Sequence, residues 1–434
     1  MKICVVGLWH LGTVTAACLA SAGYQVVGLD FDEATVRCLQ GGTPPLFEPG
    51  LEELVKVGLE KQQLRFTTDV SDGVAGAEIV WVAYDTPVDE EDRADVPYVI
   101  EHVERLFPDL AGGALILISS QLPAGTTRQL ERSYLKNFPD KPVTFAYSPE
   151  NLRLGKALRV FSRPDRVVVG VRSEQDKHRV ATLLQPFTDR IEWMSVESAE
   201  MTKHALNAFL AVSVTFINEI ATLCEQVGAD AKQVERGLKS EARIGPEAYL
   251  SPGGAFAGGT LARDIAFLTQ LSAQHNQQTP LLSNVLVSND AHKQWVRHKL
   301  QSLLGDLKGQ SVALWGLTYK PGTDTLRRSS AVELCRWLVE QGTHVQAHDP
   351  VVKALPADLA VNITLCATGL AALSAAGALV VATEWPEYQT ITADMVVCTG
   401  NKPVIVDPNR FLVRTLGNDP RLKYVAVGGI AACG

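Results

Sequence analysis

The sequence predicts an α/β protein: two doubly wound domains with mostly parallel sheets, joined by a central helical domain with one long spine helix. Three observations carry this. Short apolar strands alternate with helical segments through roughly the first 170 residues. The opening order of strand, glycine turn, helix and strand ending in Asp returns near residue 310. Between the two lies "SAEMTKHALNAFLAVSVTFINEIATLCEQ" (198–226), which lacks Gly and Pro and repeats apolar residues at helical spacing.

Taken in order, "KICVV" (2–6) is an apolar strand, a helical pattern follows from about 12 to 22, and "GYQVVGLD" (23–30) is a second strand. Further strands are expected at 77–84, 113–120, 142–148 and 165–171. The spine helix spans about 195–226, and more helix follows to about 300, broken by "LSPGGAFAGGTLARD" (250–264). Then come the strand and turn "QSVALWGLTYK" (310–320), the amphipathic helix "AVELCRWLVEQG" (331–342), "THVQAHDP" (343–350), "ALVVAT" (378–383) and "PVIVD" (403–407). The expected domains are 1–194, 195–300 and 301–434.

A chain of 434 residues exceeds what one core usually serves. Its 46% apolar and 20% charged content is that of an ordinary soluble protein. A formal charge of −8 argues against a general nucleic-acid binder. The eight cysteines are scattered, with no CxxC, so no metal site is expected and most thiols should fill cores in a reducing compartment. The N-terminal apolar run is too short for a signal peptide. No run of 18 apolar residues is present, so a cytoplasmic location and no membrane partner are expected.

The first turn reads "GLWHLG" (7–12), a Rossmann-like GxGxxG with Trp9 at the middle position. Gly7 makes the tight turn, Gly12 lets helix and strand approach, and the helix N-terminus offers amides to a diphosphate. Asp30 ends the second strand, placed to accept from a ribose diol. Gly7, Leu11, Gly12 and Asp30, in the turn or closing it, are therefore candidates for holding a dinucleotide.

Several stretches then match one family together and in order: "FEPGLEELV", "DTPVDEEDRADVPYV", "PAGTTR", "SPENLRLGKAL", "PDRVVVG", "EMTKHALNAFLA", "INEIATLCEQVGAD", "RIGP", "GGTLARD", "GLTYKPGTDTLR" and "ATEWPEY". The chain resembles the UDP-glucose/GDP-mannose dehydrogenase family over nearly its whole length. The resemblance implies an N-terminal NAD domain, a central dimerisation domain and a C-terminal nucleotide-sugar domain. It also implies oxidation of a sugar's primary alcohol to a carboxylate with two NAD, through a cysteine-bound intermediate.

Laid on this chain, the family's FGGSCxPKD loop keeps Phe256, Gly258, Leu261 and Asp264. Thr260 stands where the cysteine would, Ala262 replaces the proline and Arg263 the lysine. In the STVP-like turn, Gln121 replaces threonine, and in the SPEFLREG-like segment Glu150 stays while Leu154 replaces the second carboxylate. A thiol ionises near pKa ~8.5. An alcohol is far less acidic and needs an adjacent base, and this loop holds no histidine.

The first-oxidation set is kept. Lys203 and Asn207, four residues apart on the spine helix, share a face and are implied to stabilise a developing oxyanion. Asp264 is implied to help remove a proton through water. Glu150 and Thr260 complete the catalytic candidates. The resemblance further implies Thr86 and Gln121 at the cofactor, and Leu152, Arg153, Arg243, Phe256, Gly258, Lys320 and Arg327 at the substrate.

The expected activity is an NAD-dependent oxidoreductase acting at C6 of a nucleotide sugar, a UDP-hexose by resemblance, limited to one two-electron step by Thr260. A homodimer through the central domain and a role in polysaccharide or glycoside biosynthesis follow from the same resemblance. Three alternatives stay open: redox-neutral epimerisation or elimination through transient oxidation, a nucleotide-sugar-binding pseudoenzyme, and a full four-electron dehydrogenase giving a uronate.

Overall fold

A computed structural model describes residues 1–89, 94–150, 152–257 and 259–429. The chain divides into two compact units, Met1–Leu206 and Asn207–Gly434, and the division falls within the helix Val196–Val227.

The first unit is built on eight strands: β1 Lys2–Val6, β2 Gln25–Leu29, β3 Leu64–Thr67, β4 Ile79–Val82, β5 Leu115–Ile118, β6 Thr144–Tyr147, β7 Val167–Gly170 and β8 Ile191–Met194. Their order is β3-β2-β1-β4-β5-β6-β7-β8. Pairing is parallel except between β6 and β7, which meet antiparallel at Tyr147 and Gly170. Winding runs outward in both directions from β1 and β4, so the turns after these two strands flank the switch point where doubly wound sheets take ligands.

The inner strands read as largely apolar runs because both faces of the sheet are covered. Ile3, Val5, Ile79, Trp81, Leu115 and Leu117 pack into one core layer. Their alternates Cys4, Val6, Val80, Val82, Ile116 and Ile118 pack into the other. Burial pushes the thiols of Cys4 and Cys18 up to about 12, so both behave as small hydrophobes.

The second unit carries β9 Ser311–Trp315, β10 His344–His348, β11 Ile363–Leu365, β12 Ala378–Val381, β13 Val404–Val406 and β14 Tyr424–Val425. All pair parallel in the order β11-β10-β9-β12-β13-β14, which repeats the outward winding of the first unit. Asp349, just past β10, accepts from Leu317 N at 2.8 Å, Thr318 N at 3.1 Å and Trp385 Nε1 at 3.1 Å. A buried carboxylate thereby ties the turn after β9 to the turn after β12.

The unit also holds the helices Ala231–Ser240, Thr260–Gln274 and Pro280–Leu304. Ala208 and Ala211 of the helix Val196–Val227 form a small separate core with Ile265 and Val285 of the last two.

The helix Val196–Val227 matches the expected spine within a residue at each end. By length and composition alone it could cross a membrane. Glu200, Lys203, His204, Asn207, Ser213, Thr215 and Asn218 are buried along it, which marks it as a core helix of a folded protein. Of the described cysteines, Cys4, Cys18, Cys224 and Cys335 are buried while Cys38 and Cys398 are exposed.

Candidate active site

In the first unit, the turn after β1 is shaped by absent side chains. A Cβ on Gly12 would lie 1.7 Å from the Gly7 carbonyl oxygen, so residue 12 can only be glycine at this approach. Gly7 itself has φ +88° and donates its N–H to Leu29 O at 2.9 Å. Trp9, the unexpected residue, precedes the helix His10–Ser21 and leaves its side chain half exposed.

Asp30 follows β2 and accepts from Leu8 N at 2.6 Å through Oδ2 and from Asp32 N at 3.0 Å through Oδ1. It therefore brings a carboxylate to the turn itself. This arrangement fits an NAD: a tight glycine turn, a helix N-terminus for the diphosphate and an acid for a ribose diol. Asp85, at the end of the adjacent β4 segment, accepts from Leu11 N at 3.2 Å. Thr86 donates to Gln121 O at 2.8 Å, so these two cofactor candidates are direct neighbours and both are buried.

Lys203 is buried to 7% exposure. Its Nζ donates to Glu150 O at 2.7 Å and lies 3.7 Å from Glu150 Oε1. The carboxylate of Glu150 also accepts from Leu152 N at 2.8 Å, and Leu152 packs on the core. Arg153 and Leu154 point to solvent. One turn of the long helix thus fixes two loops. Beside Lys203, Glu200 accepts from Gly125 N, Thr127 N and Thr127 Oγ1 at 2.6–2.9 Å, and His204 meets Leu122 O at 2.9 Å.

In the second unit, Asp264 is fully buried and accepts a short hydrogen bond from Asn207 Nδ2. The two catalytic candidates are thus in contact. Thr260 is the exposed first residue of the helix Thr260–Gln274, after Gly259 at φ +97°.

The preceding loop is pinned by side-chain amides. Asn218 accepts from Gly253 N at 3.0 Å, Asn409 from Gly254 N at 2.7 Å and Asn289 from Phe256 N at 3.0 Å. Asn289 Nδ2 also donates to Phe256 O at 2.8 Å, which fixes Phe256 from both sides. His292 bonds Gly253 O at 2.8 Å, and burial pushes it below the usual imidazole range.

This loop borders a cavity of about 390 Å³ that Gly254, Ala255, Tyr319, Lys320, Ser330 and Asn409 help line. Arg327 and Arg243 are both exposed. Arg243 turns to Glu241 at 3.0 Å and does not line the cavity. Gly258 lies outside the described residues. Among the described residues no cluster of His, Cys, Asp or Glu could hold a metal ion.

Residues with no assigned role in the sequence reading are prominent here. Glu48, Asp85, Glu200, His204, Asn218, Asn289 and Asn409 all orient site loops. Glu48, Asp85, Glu200, His204 and Asn218 stand in the matched stretches "FEPG", "DTPV", "EMTKHALN" and "INEI", whereas Asn289 and Asn409 lie outside every one of them.

Comparison with known proteins gives a concordant result. Residues 1–188 match the NAD binding domain of the UDP-glucose/GDP-mannose dehydrogenase family, 197–291 its central domain and 313–414 its UDP binding domain. The UDP-glucose 6-dehydrogenase of Pseudomonas aeruginosa PAO1 is 35% identical over 426 residues, covering 94% of this chain and 93% of that protein. The UDP-glucose 6-dehydrogenase of Rhizobium meliloti strain 1021 is 33% identical over 435 residues, covering 99% of each. The solved UDP-glucose dehydrogenase of Pyrobaculum islandicum superposes with a TM-score of 0.86 at 28% identity, covering 99% of this chain and 98% of that one. Its first unit is thus an NAD-binding domain, and the protein is an NAD-dependent nucleotide-sugar dehydrogenase. The chain belongs to the UDP-glucose/GDP-mannose dehydrogenase family.

Proposed function

We propose that this protein oxidises the C6 primary alcohol of a nucleotide sugar, a UDP-hexose, and stops after one two-electron step at the aldehyde. The observation that carries this reading is Thr260, an exposed alcohol at the position that family resemblance gives to the cysteine nucleophile. A threonine hydroxyl ionises far less readily than a thiol and cannot trap the aldehyde without a strong adjacent base.

NAD, held at the turn around Gly7, Leu11, Gly12 and Asp30 with Thr86 and Gln121, supplies the hydride acceptor. The remaining work falls to this chain's side chains. Asp264, oriented by the Asn207 amide, takes the hydroxyl proton through a water. Lys203 and Asn207 stabilise the alkoxide as it develops, acting as a preorganised cation and dipole. Glu150 fixes the Lys203 ammonium against the backbone of its own loop. Leu152, Arg153, Phe256, Gly258, Lys320 and Arg327 hold the substrate, Arg243 joins them only by releasing Glu241, and the cavity beside Lys320 has the size and mixed lining a nucleotide needs.

We read the chain as three functional segments, 1–194 for the cofactor, 195–300 for assembly and 301–434 for the nucleotide. Phe209, Phe216 and Leu223 recur every seven residues on the long helix and are 69%, 46% and 61% exposed. Such a seam suits a second copy of the same helix, and we assign a homodimer to it. Unpaired cysteines such as Cys4, Cys18 and Cys38 suit a reducing compartment, and we place the protein in the cytoplasm.

The test is purified protein with NAD and a panel of UDP- and GDP-sugars, following NADH absorbance and analysing products by mass spectrometry. NADH with an aldehyde supports the proposal, and NADH with a uronate refutes the one-step limit. A changed sugar without NADH means redox-neutral chemistry. Sugar binding without turnover means a pseudoenzyme.

A further inference from the structure

The side chain of Glu48 is only 1% exposed, yet it belongs to no candidate set. Its carboxylate accepts from three donors outside its own segment. These are Gly155 N at 2.7 Å, Ala157 N at 2.8 Å and His10 Nε2 at 3.1 Å. The two backbone donors lie where the segment after Glu150 turns into the helix Ala157–Ser162. The imidazole donor is the first residue of the helix His10–Ser21, between Trp9 and Leu11 in the cofactor turn.

One buried charge therefore joins the turn that receives the dinucleotide to the segment that carries Leu152 and Arg153. A carboxylate in this setting is sensitive to the loss of any partner, because an unmet buried charge is costly. Any displacement of His10 on loading would alter one of the three bonds Glu48 accepts, and through Glu48 those from Gly155 and Ala157. Contiguous packed groups of this kind carry coupling between sites.

We propose that His10 and Glu48 are positioning residues that couple dinucleotide occupancy of the first turn to ordering of segment 152–157, so that bound cofactor tightens the nucleotide sugar. This rests on the assignment of cofactor and substrate made above. The pair touches no reacting atom in the scheme and acts through the two loops it joins.

The experiment is calorimetric titration of UDP-glucose with and without saturating NADH, a pairing of reduced cofactor and alcohol that cannot turn over. It compares wild type, His10→Phe and His10→Gln, with melting curves run alongside. Hydrogen exchange at the Gly155 and Ala157 amides is a second readout. In wild type, NADH should tighten UDP-glucose by about fivefold or more, the low end of ordinary coupling. NADH should also slow exchange at both amides. His10→Phe should bring the affinity ratio close to one and remove the added protection. His10→Gln, whose side-chain amide can donate to Glu48, should recover most of both.

A wild-type ratio of one overturns the proposal, as does a folded His10→Phe protein with the full wild-type ratio. Absence of NADH binding to wild type is a different failure. It removes the cofactor assignment itself, and this proposal with it.

Discussion

Replacing Thr260 by Cys is the most direct challenge to the one-step reading. Thr260 is exposed and opens a helix, so the change should cost no more than about 0.5 kcal/mol. A free thiol has pKa ~8.5. A helix N-terminus favours an anion by roughly 0.3–1 kcal/mol. At about 1.36 kcal/mol per unit, that lowers the new thiol by about 0.2–0.7 unit, to near pH 8, where about half is thiolate. Burial pushes Cys4, Cys18 and Cys335 up to about 12, so they stay protonated there. Alkylation against pH, mapped by peptide mass spectrometry to separate the exposed Cys38 and Cys398, reads the ionisation of residue 260 directly. Product analysis should then show a uronate and a second NADH per sugar. Suppose the new thiol ionises as expected, NAD and sugar still bind, and the product is still the aldehyde. The limit then does not lie at residue 260, and the argument from acidity fails.

Other substitutions probe separate parts of the structure. Phe216→Glu should place charge in the exposed apolar seam and shift the protein from dimer to monomer in light scattering. Asp349→Ala should destabilise the second unit by about 2–4 kcal/mol in denaturant melts, because Leu317 N, Thr318 N and Trp385 Nε1 lose their acceptor. In the intact protein, burial raises the Asp349 carboxyl, but the hydrogen bonds it accepts outweigh burial and hold it below its ordinary value. A depressed folded-state value means this stabilisation is complete above about pH 4 and is lost as pH falls through the folded value. The acid limb of the stability curve should therefore flatten in Asp349→Ala.

The inner strands were legible in the sequence, and the outer ones were not. β1, β2, β4 to β7, β9, β12 and β13 are each signalled by a short apolar run, and β10 by its place in the returning strand, turn, helix and strand order. β3, β8, β11 and β14 carry no comparable signal, and these four are the edges of the two sheets. An edge strand has neighbours on one side only, so it can be short and partly polar, as "LRFT" and "IEWM" are. The site divides in a similar way. Asp30 can be named from its spacing after the first turn, and Lys203, Asn207 and Asp264 from the family motifs that hold them. Residues that hold loops in place cannot, because their partners are distant in the chain. Glu48 reaches Ala157 and Asn409 reaches Gly254 by hydrogen bonds that no local pattern encodes.

The first turn also bears on how such chains are found. Its tolerance is set by the direction of a Cβ and not by the consensus letter. Residue 9 can grow to an indole because its side chain opens to solvent, whereas residue 12 cannot accept a single methyl beside the Gly7 carbonyl. A text search that demands glycine at the middle position would discard this chain. One that demands the last glycine and a closing acid would keep it. Weighting each letter of a motif by the space its side chain meets would extend detection to dinucleotide folds whose turns have drifted in writing while keeping their shape.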